Sequence, residues 1–210
     1  MKLYTGAAPN PKRVELYLLE KGLDLPKVHL DVGSGESRTP AFLEKNPLGL
    51  LPVLELDDGT CLSESAAICR YLEELHPAPP LLGEGPVGRA VVGMWNRRME
   101  QTVFEPTASY FGHTIPFFKD RIRQVPEYAD ASRETAKEQL VWLDGVLAES
   151  EYVAGANYSI ADMTALIAVD LGIPTVYDVG PELAHLTRWL ETVSARPAAR
   201  ALGLGRVASG

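Results

Sequence analysis

Residues 46–54, which read NPLGLLPVL, constrain the fold more than any other part of the sequence. Pro52 stands at the start of an apolar run and has no N–H to give to a neighbouring strand, so it belongs at a strand start, an edge or a bulge. It also permits a cis peptide bond at low cost. A turn at 56–60 and a second short strand follow, and Glu64 and Ser65 then begin a helix. Free backbone groups beside a helix N-terminus favour the binding of a peptide-like anion.

The bulk composition describes an ordinary globular protein. The chain has 210 residues, of which 46% are hydrophobic and 23% are charged, which is enough for one large domain or two small ones. A net charge of −8 argues against general nucleic-acid binding. Apolar runs stay shorter than the roughly 20 residues of a membrane span, and the N-terminus lacks the apolar core of a signal peptide. Two cysteines make neither a disulfide framework nor a metal site, which favours a reducing, cytoplasmic setting.

The first part of the chain alternates strand-like and helix-like segments. Strands are predicted at 1–4, 27–32, 53–56 and 61–62, and helices at 11–21, 40–45 and 64–75. Asn10 is predicted to cap the first helix, with Pro11 as its first residue and Gly22 as its C-cap. The order is βαβ followed by ββα, which predicts an α/β domain with a mixed sheet over residues 1–76.

A change of composition separates this part from the rest. Residues 77–87 are rich in proline and glycine and are predicted to be a linker. Residues 88–210 are predicted to form an all-α bundle, with helices near 87–118, 128–149, 160–171, 180–194 and 197–203. Pro106 is expected to kink the first of them, because proline removes a helical hydrogen bond. Ser159 and Asp162 have the spacing of a capping box and are assigned a folding role, without chemistry.

Taken together, these motifs resemble those of the cytosolic glutathione transferases. The resemblance rests on residues 46–54, on Glu64 and Ser65, on the segment 158–162 and on the order of the two domains. It implies a thioredoxin-like first domain that binds glutathione, a helical second domain that holds the electrophile, and a homodimer. The loop 8–14 is most similar to bacterial and fungal branches with Pro-Asn after the first strand.

The resemblance implies a binding site for two parts of glutathione. The hydroxyl and N–H of Ser65 would bind the γ-glutamyl carboxylate, aided by the helix dipole, and Glu64 would help hold the γ-glutamyl amino group. A cis bond at Pro52 would leave the N–H and C=O of Leu51 to pair with the cysteinyl part, like an added strand. The simpler interpretations are an ordinary N-cap and a trans strand-entry proline.

The sequence departs from the family at the glycine end of this site. Similar proteins often carry Lys, Arg or Gln at the position of Leu50, where it reaches the glycine carboxylate. Leucine cannot do so. Lys12, Arg13 and Lys45 are conceivable substitutes, and the sequence does not choose among them.

A second departure concerns the group that activates the thiol. Ser-type members place a hydroxyl at the position of Ala8, which has no side-chain donor. The remaining candidates are the amide of Asn10 and the hydroxyls of Thr5 and Tyr4. Asn10 is preferred, because it matches the asparagine of the Pro-Asn branches, although helix capping is its alternative role.

Aromatic residues of the helical domain are candidates for the electrophile pocket. Tyr110 and Phe111 follow the proline kink and could roof an apolar pocket, although core packing is an equal alternative. His113 is expected to be a satisfied or exposed histidine rather than a base. Arg97 and Arg98 are expected to be a solvated pair.

The function predicted from the sequence is a glutathione S-transferase. Glutathione would be the co-substrate, without a metal, and its thiolate would attack a small hydrophobic electrophile. The expected role is detoxification in the cytoplasm, by a homodimer that binds neither nucleic acid nor membrane. Two alternatives stay open: reduction of a disulfide or peroxide by glutathione, and a non-catalytic protein of the same fold that binds or regulates.

Overall fold

The computed structural model describes residues 1–205, which divide into two compact units. The first ends at Leu81, inside the proline-rich segment 77–87, and the second starts at Leu82. The predicted end of the helical domain at residue 210 lies outside the described residues. The first unit contains, in order, β1 (Lys2–Thr5), α1 (Pro9–Lys21), β2 (Lys27–His29), α2 (Pro40–Leu43), β3 (Val53–Glu55), β4 (Cys61–Ser63) and α3 (Ser65–Leu75).

A four-stranded mixed sheet organises the first unit, in the order β2-β1-β3-β4. β1 runs parallel to β2, with Tyr4 opposite Val28, and antiparallel to β3, with Tyr4 opposite Val53. β3 and β4 form an antiparallel hairpin in which Val53 lies opposite Ser63. This is the predicted thioredoxin-like βαβ-ββα arrangement, so the fold class is confirmed.

The two faces of the sheet receive alternate side chains, as strand geometry requires. Leu3 and Thr5 are fully buried on the side of α1, where the Thr5 hydroxyl donates to Glu15. Tyr4 points to the opposite side, where its ring packs edge-on against Phe42 of α2 at 5.8 Å. β1 is therefore covered on both faces.

The start of α1 differs from the prediction. The helix begins at Pro9, two residues before the predicted Pro11, and Ala8 rather than Asn10 is its N-cap. The first helical acceptor is the Ala8 carbonyl, which receives the Lys12 N–H at 3.2 Å. Residues 9–11 need no helical acceptor, so both prolines fit into the first turn without losing a hydrogen bond. Asn10 consequently lies inside this turn. Gly22 is the left-handed C-cap, as predicted.

A buried ion pair fixes α1 to α3 near their C-terminal ends. Lys21 pairs with Glu73, which also accepts a hydrogen bond from the Tyr17 hydroxyl. The same ammonium donates to the carbonyls of His76, at 2.8 Å, and Pro79. A charge inside a protein is tolerated only when it is paired and hydrogen-bonded, and Lys21 meets both conditions.

The second unit is helical, as predicted. It comprises α4 (Gly85–Arg98), a π-helical turn (Met99–Phe104), α5 (Glu105–Thr114), a 3-10 turn (Pro116–Phe118), α6 (Pro126–Ala148), α7 (Ile160–Gly172), α8 (Ala184–Ser194) and α9 (Pro197–Ala201). The predicted helix 87–118 is thus divided and ends earlier. Its disturbance was expected at Pro106. The π-helical turn ends two residues before that proline, which cannot donate to a carbonyl of the preceding turn.

α6 and α8 cap each other's ends. Asp144 of α6 accepts the N–H groups of His185 and Leu186, both at 2.8 Å. Arg188 of α8 donates to the carbonyls of Leu147, at 2.7 Å, and Ser150, at 3.0 Å, where α6 ends. These contacts fix the start of α8 at Ala184, four residues after the predicted start at residue 180. The start of α8 could not be predicted from its own sequence, because the residue that caps it, Asp144, belongs to another helix.

The core of the helical unit is α7, which is buried on all sides over residues 160–169. Ser159 and Asp162 form the predicted capping box at its start. The Ser159 hydroxyl accepts the Ala161 N–H at 3.3 Å, and the Asp162 carboxylate accepts the Ser159 N–H at 3.0 Å. The other Asp162 oxygen accepts the Val153 N–H and the Trp189 Nε1–H, both at 2.9 Å. One carboxylate therefore fixes α7, the preceding loop and α8.

Replacing Asp162 should destabilise this unit far more than replacing its partner in the box. Asp162→Ala removes the acceptor of four donors, which are two N–H groups, the Ser159 hydroxyl and the Trp189 Nε1–H, and should lower the free energy of unfolding by at least about 3 kcal/mol. Ser159→Ala removes only a helix cap and should cost about 1 kcal/mol. Urea unfolding followed by circular dichroism measures both. Equal losses in the two variants would contradict the structural role given to the Asp162 carboxylate.

Candidate active site

The loop before β3 is held in shape by one buried side chain. Asn46 donates its amide Nδ2 to the Leu50 carbonyl at 2.9 Å and accepts the Leu48 N–H at 3.2 Å. Gly49 closes the turn on the Asn46 carbonyl at 2.8 Å and has a φ of 62°, a conformation that glycine adopts without strain. The loop is therefore set by its own chain before any ligand arrives.

The loop ends in the predicted cis bond between Leu51 and Pro52. Throughout residues 1–205, neither the N–H nor the C=O of Leu51 has a hydrogen-bond partner. An unpaired donor and acceptor on one extended residue can pair with a peptide as a strand edge does. The expected backbone site at Leu51 is therefore available.

Across the β3–β4 hairpin, the start of α3 is a candidate anion site. Ser65 is the first residue of α3 and is 5% exposed. The first N–H groups of a helix have no acceptor within it and carry the positive end of the dipole. Glu64 has φ 66° and ψ 114°, and among the described residues no other non-glycine residue has a positive φ. A costly backbone conformation of this kind concentrates at functional sites.

Arg13 of α1 lies against this helix start. Its side chain is buried, and its Nη1 donates to Ser65 Oγ at 3.1 Å. Sequence reasoning considered Arg13 only as a ligand of the glycine carboxylate. The contact with Ser65 joins residues that are far apart in the chain, so no local sequence motif could predict it.

The three candidate thiol-activating groups differ in their surroundings. The Tyr4 hydroxyl donates to Glu55 at 2.8 Å, and the Thr5 hydroxyl donates to Glu15, so both are already engaged. The Asn10 side chain has no hydrogen bond to any residue between 1 and 205 and lies half-buried in the first turn of α1. Asn10 is the candidate that the structure leaves available.

The basic residues considered as ligands of the glycine carboxylate differ in whether they already have a bonded partner. Lys45 is bound to Glu55 at 2.6 Å, and Arg13 is bound to Ser65. Lys12 makes no ion pair within the described part of the chain. Arg38 was not considered from the sequence. Its Cδ lies only 2.8 Å from the position that a Cβ atom on Gly49 would occupy. Arg38 is exposed beside the loop that presents Leu51.

Comparison with known proteins identifies the family. Models described as the glutathione S-transferase N-terminal domain and C-terminal domain match residues 3–80 and 103–197. Glutathione S-transferase 2 of Saccharomyces cerevisiae is 34% identical over 202 residues, which cover 94% of this chain and 87% of that protein. A glutathione S-transferase domain-containing protein of Marinobacter aquaeolei VT8 has a similar structure, with a TM-score of 0.89 at 38% identity, over 95% of this chain and all of that one (100%). Gtt2 from Saccharomyces cerevisiae has a TM-score of 0.90 at 34% identity, over 96% and 100%.

The chain belongs to the glutathione S-transferase family. It is accordingly an enzyme of glutathione-dependent transfer, and the resemblance noted in the sequence is confirmed. No helix within residues 1–205 is long and apolar enough to cross a membrane. The same residues contain no cluster of three or more His, Cys, Asp or Glu side chains that could hold a metal ion.

In the helical unit of this transferase, Tyr110 and Phe111 lie edge to face at 5.5 Å. Tyr110 is buried, and Arg133 donates to its hydroxyl, so its polar group is already satisfied. Phe111 is half-buried. His113 Nδ1 accepts the Val125 N–H at 3.0 Å, which confirms that it is a satisfied histidine. Neither aromatic residue lines the cavity of about 320 Å³ that lies among Gln101, Glu105, Pro106, Tyr128 and Ser132.

The two arginines of α4 are both exposed, as expected, and each makes a contact of its own. Arg97 forms an exposed ion pair with Glu100 at 3.4 Å. Arg98 instead lies over the Trp95 ring, 4.6 Å from its centre, and interacts through the ring face. The two arginines are adjacent in the sequence but make different contacts, because adjacent residues of a helix point in different directions.

The cluster around Glu55 predicts a pH dependence of stability. Hydrogen bonds from Lys45 and Tyr4, together with the charge of Lys2, lower the pKa of Glu55 from 4.5 to about 2. The ionised form is therefore favoured in the folded protein, and its contribution is fully present above pH 4.5 and is lost as the pH falls towards 2.

The measurement compares urea midpoints of the wild type and Glu55→Gln at several pH values. The wild type should be the more stable protein at neutral pH, and the difference should shrink below pH 4.5. Glu44→Gln, which changes an exposed carboxylate without a bonded partner among the described residues, should show no such trend. A difference that grows on acidification would contradict the role given to Glu55.

Proposed function

We propose that this transferase binds glutathione on its first unit and directs the thiolate at a small hydrophobic electrophile. The observation that carries the proposal is the register of the β3–β4 hairpin, in which Val53 lies opposite Ser63. This pairing sets the unpaired backbone of Leu51 beside the N-terminus of α3. One extended tripeptide with a carboxylate at its end fits such a combination of strand edge and anion site.

Each part of glutathione is assigned to a group of the chain. The γ-glutamyl carboxylate is held by the hydroxyl and N–H of Ser65, with Glu64 near the γ-glutamyl amino group. The cysteinyl part pairs with Leu51 before Pro52. We assign the glycine carboxylate to Arg38, because its guanidinium makes no ion pair or hydrogen bond with residues 1–205 and its stem lies against Gly49. This assignment compensates for Leu50, which is 52% exposed and cannot bind a carboxylate.

The thiolate is held by the first turn of α1. Pro9 and Pro11 have no N–H, and the Ala8 N–H is bonded to the Gly6 carbonyl at 2.8 Å. Asn10 therefore offers both the backbone N–H of this turn and a side-chain amide. A helix N-terminus lowers the pKa of a nearby thiol, and a hydrogen-bond donor adds to that effect.

The chemical step is a nucleophilic substitution or addition. The thiol proton passes to solvent, and the sulfur lone pair forms a bond to an electrophilic carbon. In a substitution the leaving group departs with the bonding electrons, and in an addition the electron pair of the broken π bond takes up a proton from solvent. We propose that Tyr110 and Phe111 contribute to the apolar pocket for the electrophile and that conjugation serves detoxification. Neither Cys61 nor Cys69 forms a disulfide within residues 1–205, which supports a reducing cytoplasmic setting.

A second candidate reaction uses the same thiolate. The Pro9–Asn10 turn also suits attack on the sulfur of a disulfide or the oxygen of a hydroperoxide. The product would then be a mixed disulfide, or a glutathione sulfenic acid, and a second glutathione would reduce either to complete the reaction.

Calorimetry followed by an electrophile panel tests the proposed function. Wild-type protein should bind glutathione and should conjugate chlorodinitrobenzene faster than it reduces hydroxyethyl disulfide or a hydroperoxide. The reverse order of rates would establish the reductive alternative. Absence of any binding heat at millimolar glutathione would overturn both reactions.

Removing the Asn10 amide should raise the pKa of bound glutathione. We expect Asn10→Ala to raise that thiol pKa by about one unit, which corresponds to the loss of roughly one charge-assisted hydrogen bond. The ultraviolet absorbance of the bound thiolate, measured against pH, gives the value directly. Tyr4→Phe removes a rival hydroxyl and should leave it unchanged. If the thiol pKa moves in Tyr4→Phe and not in Asn10→Ala, the assignment is wrong.

We also propose that the chain forms a homodimer through α4 and α6. Val87, Val91 and Met94 are exposed along one stripe of α4, and Val141 and Trp142 are exposed on α6. The rings of Trp95 and Trp142 stack at 6.0 Å, which joins the two groups into one apolar surface. An apolar surface of this extent marks a contact with another protein surface.

Sedimentation equilibrium tests the dimer. The wild type should have twice the mass of one chain at micromolar concentration. Val141→Glu places a charge in the surface and should shift the protein towards the monomer, whereas Ile122→Glu, at an exposed apolar residue outside it, should not. A monomeric wild type would contradict the proposal.

A further inference from the structure

The contact between Arg13 and Ser65 has a consequence for the hydroxyl. Arg13 is 2% exposed and Ser65 is 5% exposed, and Nη1 donates to Oγ at 3.1 Å. A serine hydroxyl has one proton and two lone pairs, whereas a guanidinium has donors only. Arg13 therefore occupies a lone pair of Ser65, and the hydroxyl proton must point away from it.

The proton is thereby left to donate to an acceptor other than Arg13, such as an anion bound at the start of α3. A serine at a helix start commonly uses its hydroxyl oxygen to accept an N–H of its own helix. In α3 the N-cap is Glu64, whose side chain makes no cap hydrogen bond, and within residues 1–205 Ser65 Oγ accepts from Arg13 and from no N–H of its own helix. The N–H groups of the turn and the Ser65 hydroxyl consequently act as donors together. A carboxylate needs such a set, because it only accepts hydrogen bonds.

We propose that Arg13 is a positioning residue for the γ-glutamyl carboxylate, which it serves by fixing the Ser65 hydroxyl as a donor. The assignment rests on the proposed function, since it takes Ser65 as the ligand of that carboxylate. The positive charge of Arg13 also polarises the hydroxyl, so the bond from Ser65 to the carboxylate becomes stronger. Arg13 does not touch glutathione in this arrangement and acts through Ser65.

A purely structural role for Arg13 makes a different prediction. If the guanidinium only fills space between α1 and α3, its loss weakens every ligand of the first unit to the same degree. If it acts through the hydroxyl, its loss weakens only ligands that carry the γ-glutamyl carboxylate. 4-Aminobutanoyl-Cys-Gly differs from glutathione only by lacking that carboxylate, so the pair of ligands separates the two roles.

The experiment measures the affinity of both peptides by calorimetry for a double-mutant cycle. The proteins are the wild type, Arg13→Gln, Ser65→Ala and the double variant, with Arg13→Lys as a milder change. Arg70→Gln is the matched control, because it removes an exposed arginine of α3 that has no bonded partner among residues 1–205. Thermal unfolding of each variant verifies that it is folded.

Arg13→Gln should lower the affinity for glutathione about five-fold, which corresponds to one net hydrogen bond. The affinity for the carboxylate-free peptide should not change. In the Ser65→Ala background the same substitution should have no further effect. Arg13→Lys should lie between the wild type and Arg13→Gln. Arg70→Gln should bind both peptides as the wild type does.

Equal weakening of both peptides, or an undiminished effect in the Ser65→Ala background, would overturn the assignment. If Arg13→Gln does not fold, the test uses Arg13→Lys. The assignment is overturned if the ratio of its affinities for glutathione and for the carboxylate-free peptide equals the wild-type ratio. Wild-type protein that binds neither peptide overturns the proposed function, and the assignment of Arg13 with it.

Discussion

The pairing of β3 with β4 is the constraint on which the site depends. Val53 opposite Ser63 fixes how the cis-proline loop and the start of α3 lie side by side in space. A shift of one residue in that register would turn every side chain of the hairpin to the other face. Val53 and Leu54 are fully buried on opposite faces of the sheet, and a shift would bring the charged Glu55 into a buried position, which opposes it. The core of the first unit thereby sets the spacing of its binding groups.

In the proposed site, the negative charges of glutathione are stabilised by hydrogen-bond donors, and no catalytic base is assigned. The start of α3 offers N–H groups and a hydroxyl, and the first turn of α1 offers Asn10. Two prolines without an N–H and the methyl side chain of Ala8 leave the α1 turn with few donors, which makes Asn10 the candidate there. The acidic and basic groups nearby are largely paired with one another, as in the cluster of Lys2, Lys45 and Glu55.

Local sequence rules predicted the parts of the fold that depend on neighbouring residues. Pro52, the Gly22 cap and the Ser159–Asp162 box have their causes within a few positions, and the structure confirms them. The start of α1 was predicted wrongly because Pro9 and Pro11 both satisfy the rule for a first turn. Strand alternation alone could have shown that Tyr4 and Thr5 point to opposite faces.

The contacts that could not be predicted join distant segments. Arg13 meets Ser65, Asp144 caps α8, and Arg38 lies against Gly49. Each depends on where whole elements pack, and no spacing in the sequence encodes that. The identity of the electrophile could not be predicted from the sequence for a related reason. Its pocket would be shaped by loops and by aromatic residues such as Phe111, which can equally well pack in a hydrophobic core.

The most direct test of the account is a crystal structure of the wild-type protein with glutathione. It should place the cysteinyl backbone in hydrogen-bond distance of the Leu51 N–H and C=O, and the γ-glutamyl carboxylate on the Ser65 hydroxyl and N–H. The account is contradicted if the tripeptide binds away from the β3–β4 hairpin, or if it binds there with Leu51 unpaired.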